Sequence, residues 1–93
     1  MTRRAHRTDA NHAEIRKGLR KAGYTVLDCS HIGQGIPDLI VTMPDVGHVW
    51  VEIKTARGKL TKGEREMFPW LPGRVLVVFS VDDAIEALQE LQK

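Results

Sequence analysis

Apolar residues recur along this chain with two periods, and the switches between them divide it into seven elements. Ile15, Leu19 and Ala22 fall on one helical stripe, which Thr8 or Asp9 can cap and Gly23 can stop in a left-handed conformation. Tyr24 to Cys29 alternates loosely and predicts a first strand, followed by a loop, Ser30 to Gly35, that contains two glycines. Asp38 to Met43 and His48 to Thr55 predict a hairpin turned by Pro44-Asp45-Val46-Gly47. Ala56 to Leu60 is a basic connection. Thr61 and Glu64 have the spacing of a capping box, and the helix they open must end near Phe68 because Pro69 follows. After a turn at Pro72-Gly73, Val75 to Phe79 is a continuous apolar run, as for a strand buried on both faces in the middle of a mixed sheet. Ser80 and Asp83 then open a helix striped by Ala84, Leu88 and Leu91. The order αβββαβα predicts a single α/β domain over residues 1–93, a mixed central sheet flanked by helices, with residues 1–8 as a flexible basic arm.

One stretch breaks the pattern. Glu52 and Lys54 share a face of the third strand, about 7 Å apart by the strand rise, amid Val49, Trp50, Val51 and Ile53. Local inconsistency of this kind marks functional sites. Asp38 opens the strand that should pair with this one, so the hairpin brings two carboxylates and an amine together. Paired acidic oxygens suit a hard divalent cation such as Mg²⁺, and a fixed ammonium beside them can stabilise an oxyanion or orient a water. The register tests this arrangement. A regular four-residue loop closed by Met43 and His48 would put Asp38 opposite Ile53, on the wrong face from Glu52. The chemistry therefore requires a bulge, a three- or five-residue loop, or an Asp38 lying just ahead of regular pairing, where Pro37 weakens the ladder.

The run Gly35-Ile36-Pro37-Asp38-Leu39-Ile40-Val41, then Val49-Trp50-Val51-Glu52-Ile53-Lys54, resembles the PD-(D/E)XK nuclease motif. The continuation Gly58-Lys59-Leu60-Thr61, a helix and the strand Val75 to Phe79 resemble its small stand-alone VRR-NUC (virus-type replication-repair nuclease) branch, over roughly residues 12 to 82. The resemblance implies a restriction-endonuclease-like fold and a Mg²⁺- or Mn²⁺-dependent DNA endonuclease. Its metal would be held by Asp38, Glu52 and the backbone carbonyl of Ile53, with Lys54 positioning the attacking water or the developing charge. It further implies a glutamate from the first helix near the metal, for which Glu14 is the candidate, a phage origin, and product ends carrying 5′-phosphates. Where that family has a glutamine opening the helix after the ExK strand, this chain has Glu64. An anion does not replace an amide near metal or phosphate without changing the chemistry, so Glu64 inherits no role.

Charge distribution adds a partner. The net charge is only +2, but residues 1 to 21 carry Arg3, Arg4, Arg7, Arg16, Lys17, Arg20 and Lys21 against Asp9 and Glu14. Residues 54 to 65 add Lys54, Arg57, Lys59, Lys62 and Arg65, whereas the last helix is acidic. A polyanion would bind the basic side, with Arg16, Lys17, Arg20, Lys59 and Lys62 gripping phosphates and none placed for base-specific readout. Salt dependence should be strong and sequence preference small.

The remaining features exclude more than they assign. Ninety-three residues bury a modest core, so a homodimer is expected, and two symmetric sites suit branched or Holliday-junction-like DNA. No apolar run approaches a membrane span, the N-terminus lacks the apolar region of a signal peptide, and Cys29 has no partner cysteine. A cytoplasmic, reducing setting is expected, with Cys29 buried. His6, His12, His31 and His48 show neither zinc-ligand spacing nor a nucleophile partner. Trp50, Phe68 and Trp70 read as core or dimer contacts rather than base-stacking platforms. Two alternatives stay open: a non-catalytic nucleic-acid-binding module on the same fold, and a plain solvent-facing ion cluster at Asp38, Glu52 and Lys54.

Overall fold

A computed structural model describes residues 6–55 and 58–93, with the side chains of the first helix described from residue 11 onward. The elements run α1 (His6–Lys21), β1 (Thr25–Asp28), β2 (Leu39–Met43), β3 (Gly47–Ile53), α2 (Lys62–Met67), β4 (Arg74–Val78) and α3 (Val81–Leu91). A short 3₁₀ turn, Phe68–Trp70, follows α2 and takes Pro69 into its first positions, as the missing amide of proline allows. The order is the expected αβββαβα. Helix α1 begins earlier than expected, so Thr8 and Asp9 lie inside it rather than at its cap. Of the expected basic arm, residues 1–5 lie outside the described residues, as does Arg57.

The four strands form one mixed sheet in the order β1-β2-β3-β4, with β1, β2 and β3 antiparallel and β4 parallel to β3. Leu39, Val41, Met43, Val49, Val51 and Ile53 alternate onto one face and are buried. Ile15 and Leu19 of α1 and Ala84 and Leu88 of α3 close over them. Each fully buried Leu or Val contributes roughly 1.5–3 kcal/mol of transfer free energy, so this layer is the chief stabilising feature of the domain. The two helices approach closely at Gly18, where a Cβ would stand 2.5 Å from Val81 Cγ1. Gly23, at φ +100°, ends α1 as expected.

Two expectations fail or sharpen. Strand β4 is an edge strand, not a central one: Val77 and Phe79 are 38 % and 43 % exposed. A parallel crossover can add a strand at a sheet edge as readily as in its middle, and an apolar run alone does not distinguish the two. The hairpin loop is the shorter one. Met43 pairs with Gly47 across a three-residue loop, and Leu39 pairs with Val51. Continuing that register sets Asp38 opposite Glu52, one residue ahead of regular pairing.

Candidate active site at the sheet end

Asp38 is held from both sides. Its carbonyl accepts the Cys29 amide at 2.7 Å, extending β1 pairing, and its Oδ2 accepts the Ile53 amide at 2.9 Å. Regular pairing of the hairpin ends at Leu39 and Val51, and beyond it the side chain of Asp38, rather than a strand carbonyl, accepts the Ile53 amide. Asp38, Glu52, Ile53, Lys54 and Glu64 line one cleft of about 320 Å³, with Asn11, Thr55, Gly58 and Lys59 on its walls. A larger cleft of about 670 Å³ lies at the other end of the sheet, against Tyr24, Thr25, Thr42, Met43 and His48. It holds no carboxylate and no amine, so volume does not mark the chemistry here.

Glu52 is only 3 % exposed, and its Oε1 has no hydrogen-bond partner. A solvent-facing ion cluster is therefore excluded at this position. Lys54 Nζ stands 3.2 Å from Glu52 Oε2 and 2.8 Å from Glu64 Oε1, so one ammonium serves two glutamates. Glu64 reaches it because the capping box forms as expected: the Thr61 amide donates to Glu64 Oε1 at 2.9 Å, and the Glu64 amide to Thr61 Oγ1 at 3.1 Å. The loop before Pro37 presses directly on this helix. A Cβ at Gly35, φ +82°, would stand 2.7 Å from the Gly63 carbonyl oxygen.

Three carboxylates around one ammonium leave the cleft with excess negative charge. Burial, then the Glu64 carboxyl and the charge of Asp38, push the Glu52 carboxyl up to about 8. Burial likewise raises Asp38, against the Ile53 amide that favours its anion. Burial alone would lower the Lys54 ammonium, but Glu64 and Glu52 outweigh it and hold it above its ordinary value. Burial works against the Glu64 anion too, yet Lys54 and the Thr61 amide keep that carboxyl below the usual range.

Among the described residues, no three His, Cys, Asp or Glu side chains already stand in a metal-holding cluster. The donor set nevertheless fits a hard cation. The unpartnered buried Oε1 of Glu52, beside the Asp38 carboxyl, is the kind of oxygen donor that a divalent cation takes.

Other expected residues divide. Glu14 is exposed on α1 and is not brought to the cleft, because the buried stripe of that helix passes through His12, Ile15 and Leu19 instead. Arg16 and Arg20 are occupied in the fold: Arg16 Nη1 pairs with Asp28 Oδ2 at 2.7 Å, and Arg20 Nη2 donates to the Val26 carbonyl at 2.9 Å. Together they tie α1 to β1. Lys17, Lys59 and Lys62 are exposed, and Lys59 lines the cleft. Cys29 is buried as expected. Trp50 is half-buried with its indole N–H on the Pro72 carbonyl, whereas Trp70 is 84 % exposed and is no core residue.

His12 is the residue that sequence reasoning passed over. It is 8 % exposed, and its Nε2 has no hydrogen-bond partner while standing 3.9 Å from both Asp38 Oδ1 and Asp28 Oδ1. Its place three and seven residues before Ile15 and Leu19 was the available signal. Asp28 is already occupied by the Ser30 amide and hydroxyl as well as by Arg16; burial opposes its anion, but these partners and His12 bring it down to about 2.

None of the described helices is long and apolar enough to cross a membrane. Set beside protein-family models, curated proteins and solved structures, the chain matches none.

Proposed function

We propose that this chain is a divalent-metal-dependent DNA endonuclease of the PD-(D/E)XK kind, close to the VRR-NUC branch, hydrolysing phosphodiester bonds in branched DNA as a homodimer. The observation that carries this reading is the in-register placement of Asp38 and Glu52 across the β2–β3 hairpin, with Lys54 beside Glu52 and one buried carboxylate oxygen left unpartnered. The αβββαβα order and mixed sheet accord with a restriction-endonuclease-like fold. Exposed Val77, Phe79 and Trp70 on a chain of this size support a second copy.

A bound Mg²⁺ or Mn²⁺ supplies charge neutralisation for the scissile phosphodiester and acidifies a water. Asp38, Glu52 and the Ile53 carbonyl would hold it, Glu52 exchanging its proton for the cation. Lys54 remains an ammonium, because its two glutamates favour that form, and it acts on the developing negative charge rather than as a proton acceptor. Lys59 on the cleft wall and Lys62 at the start of α2 meet backbone phosphates.

The test is cleavage of a four-way junction, a flap, a linear duplex and a single strand with Mg²⁺, Mn²⁺ or EDTA, with Glu52→Gln alongside. Metal-dependent cutting that disappears in Glu52→Gln is expected, with the junction cut fastest. One observation favours a non-catalytic binding module instead: Glu64 already occupies the Lys54 ammonium. Salt-sensitive DNA binding without cutting in any metal would decide for that module.

A further inference from the structure

An open sheet leaves two edge strands, and this chain treats its two, β1 and β4, differently. On β1 the Arg20 guanidinium takes the outward carbonyl of Val26 at 2.9 Å, a charged cover of the kind that stops further strands from adding. On β4 the Lys54 amide donates to the Val78 carbonyl, so Val78, Leu76 and Arg74 turn their backbone groups to β3, while Val75 and Val77 turn theirs outward. The next outward amide, that of Phe79, is closed by Asp83 Oδ2 at 2.8 Å. Among the described residues, nothing hydrogen-bonds the outward groups of Val75 and Val77. The face beside them is apolar: both valines line a groove of about 650 Å³ with Leu60, Phe68 and Leu71, and Val77 and Phe79 are exposed.

We propose that β4 is the interface between two copies of this chain, pairing antiparallel with its symmetry mate about a twofold axis at Leu76 to join both sheets into one. The proposal deepens the homodimeric reading above by naming its surface. About that axis Val75 stands opposite Val77 of the second copy, and the outward amides and carbonyls of the two valines find their partners in the same groups of the other strand. The edge is therefore complementary to itself. Side chains agree with the backbone. The Val75 and Val77 cross-strand pairs fall on the apolar groove face. On the opposite face, exposed Arg74 comes opposite Val78 of the second copy and beside the start of its α3, whose first turn carries Asp82 and Asp83. Because Val77 pairs with Glu52, the two clefts come to opposite ends of the joint sheet, with their β3 strands three strand spacings, or about 14 Å, apart across it.

The test is sedimentation velocity of the whole chain over a range of concentrations, with amide hydrogen exchange on the same samples, for the unmutated protein and Val77→Pro. Proline at an edge position whose amide points outward removes no hydrogen bond within the chain, so only the pairing between copies is lost. The unmutated chain should sediment as a dimer, and exchange at the Val75 and Val77 amides should slow by at least about tenfold between monomer and dimer concentrations. Val77→Pro should weaken the dimer by at least about tenfold. A dimer whose Val75 and Val77 amides exchange as fast as in the monomer would overturn β4 as the interface and leave the homodimeric reading standing, as would a dimer undiminished in a folded Val77→Pro. A chain monomeric at every concentration would overturn both, and metal-dependent cutting by that monomer would still leave the nuclease. Should Val77→Pro not fold, the exchange of the unmutated chain decides alone.

Discussion

Asp38 Oδ2 accepts the amide proton of Ile53, the residue between Glu52 and Lys54, at 2.9 Å. One carboxyl group thus fixes the spacing of the hairpin end while its other oxygen is left for the cleft. Structure and chemistry can be separated at this position, because an amide oxygen keeps the hydrogen bond and loses the charge.

Asp38→Ala should destabilise the fold by about 1–3 kcal/mol, since it leaves a part-buried amide without an acceptor. Asp38→Asn should cost appreciably less, yet lose metal binding as completely. Urea unfolding of both variants beside a metal titration checks this. An alanine variant as stable as the unmutated chain would show that the Ile53 amide finds water instead.

Stability should fall as pH rises across the neutral range in the absence of metal. Burial, Glu64 and Asp38 raise Glu52 from 4.5 to about 8, so between those values the folded chain holds a proton that the unfolded chain has released. The sign follows: the state that binds more protons loses ground with increasing pH. Asp28, lowered from 3.8 to about 2, acts in the other window and withdraws its stabilisation as pH falls through that range. Melting temperature measured from about pH 5 to about pH 8 should decline for the metal-free chain, and flatten with saturating Mn²⁺ or in Glu52→Gln. An equal decline in Glu52→Gln would assign the slope to another group.

Most of the element order was readable because turn chemistry and periodicity agree at Gly23, at the capping box of Thr61 and Glu64, and at Ser80, whose hydroxyl takes the Asp83 amide at 3.1 Å. The hairpin was readable only conditionally: Pro44 to Gly47 allows more than one loop length, and the chemistry of Asp38 and Glu52 argues only against the regular four-residue loop. That leaves a bulge, a three- or five-residue loop or an Asp38 ahead of pairing, of which the three-residue loop with Asp38 just ahead of pairing occurs. The edge position of β4 was not readable, since an apolar run carries no information about which side of a strand is vacant. On α1, Glu14 lies beside Ile15 in sequence, but the buried stripe has the phase of His12, Ile15 and Leu19 and leaves Glu14 exposed.

Basic residues that look alike in sequence should separate by assay. Lys59→Ala and Lys62→Ala should weaken DNA binding across all sequences and each reduce the salt slope by about one, with little change in stability. Arg16→Ala should do the reverse, costing about 1 kcal/mol through the loss of the Asp28 pair, with a salt slope close to that of the unmutated chain. Binding isotherms at several salt concentrations, with urea unfolding of the same variants, make the comparison. An unchanged slope in both lysine variants would place the DNA on another face.

Glu64 lies 2.8 Å from the Lys54 ammonium and its carboxyl helps to raise that of Glu52, so it competes with a phosphate for one neighbour and repels the anion of the other. Glu64→Gln keeps the fold, because glutamine at that position also completes a capping box with Thr61. It removes one negative charge from the wall that a polyanion must approach. A unit charge at about 4 Å in water is worth about 1 kcal/mol, so metal-free DNA binding should tighten by about fivefold. The Glu52 carboxyl should drop from about 8 as its like-charged neighbour disappears, moving the pH-dependent loss of stability to lower pH. Affinity and melting profiles of Glu64→Gln measured together check both effects. Unchanged DNA affinity with a displaced pH profile would mean that Glu64 governs Glu52 without facing the nucleic acid.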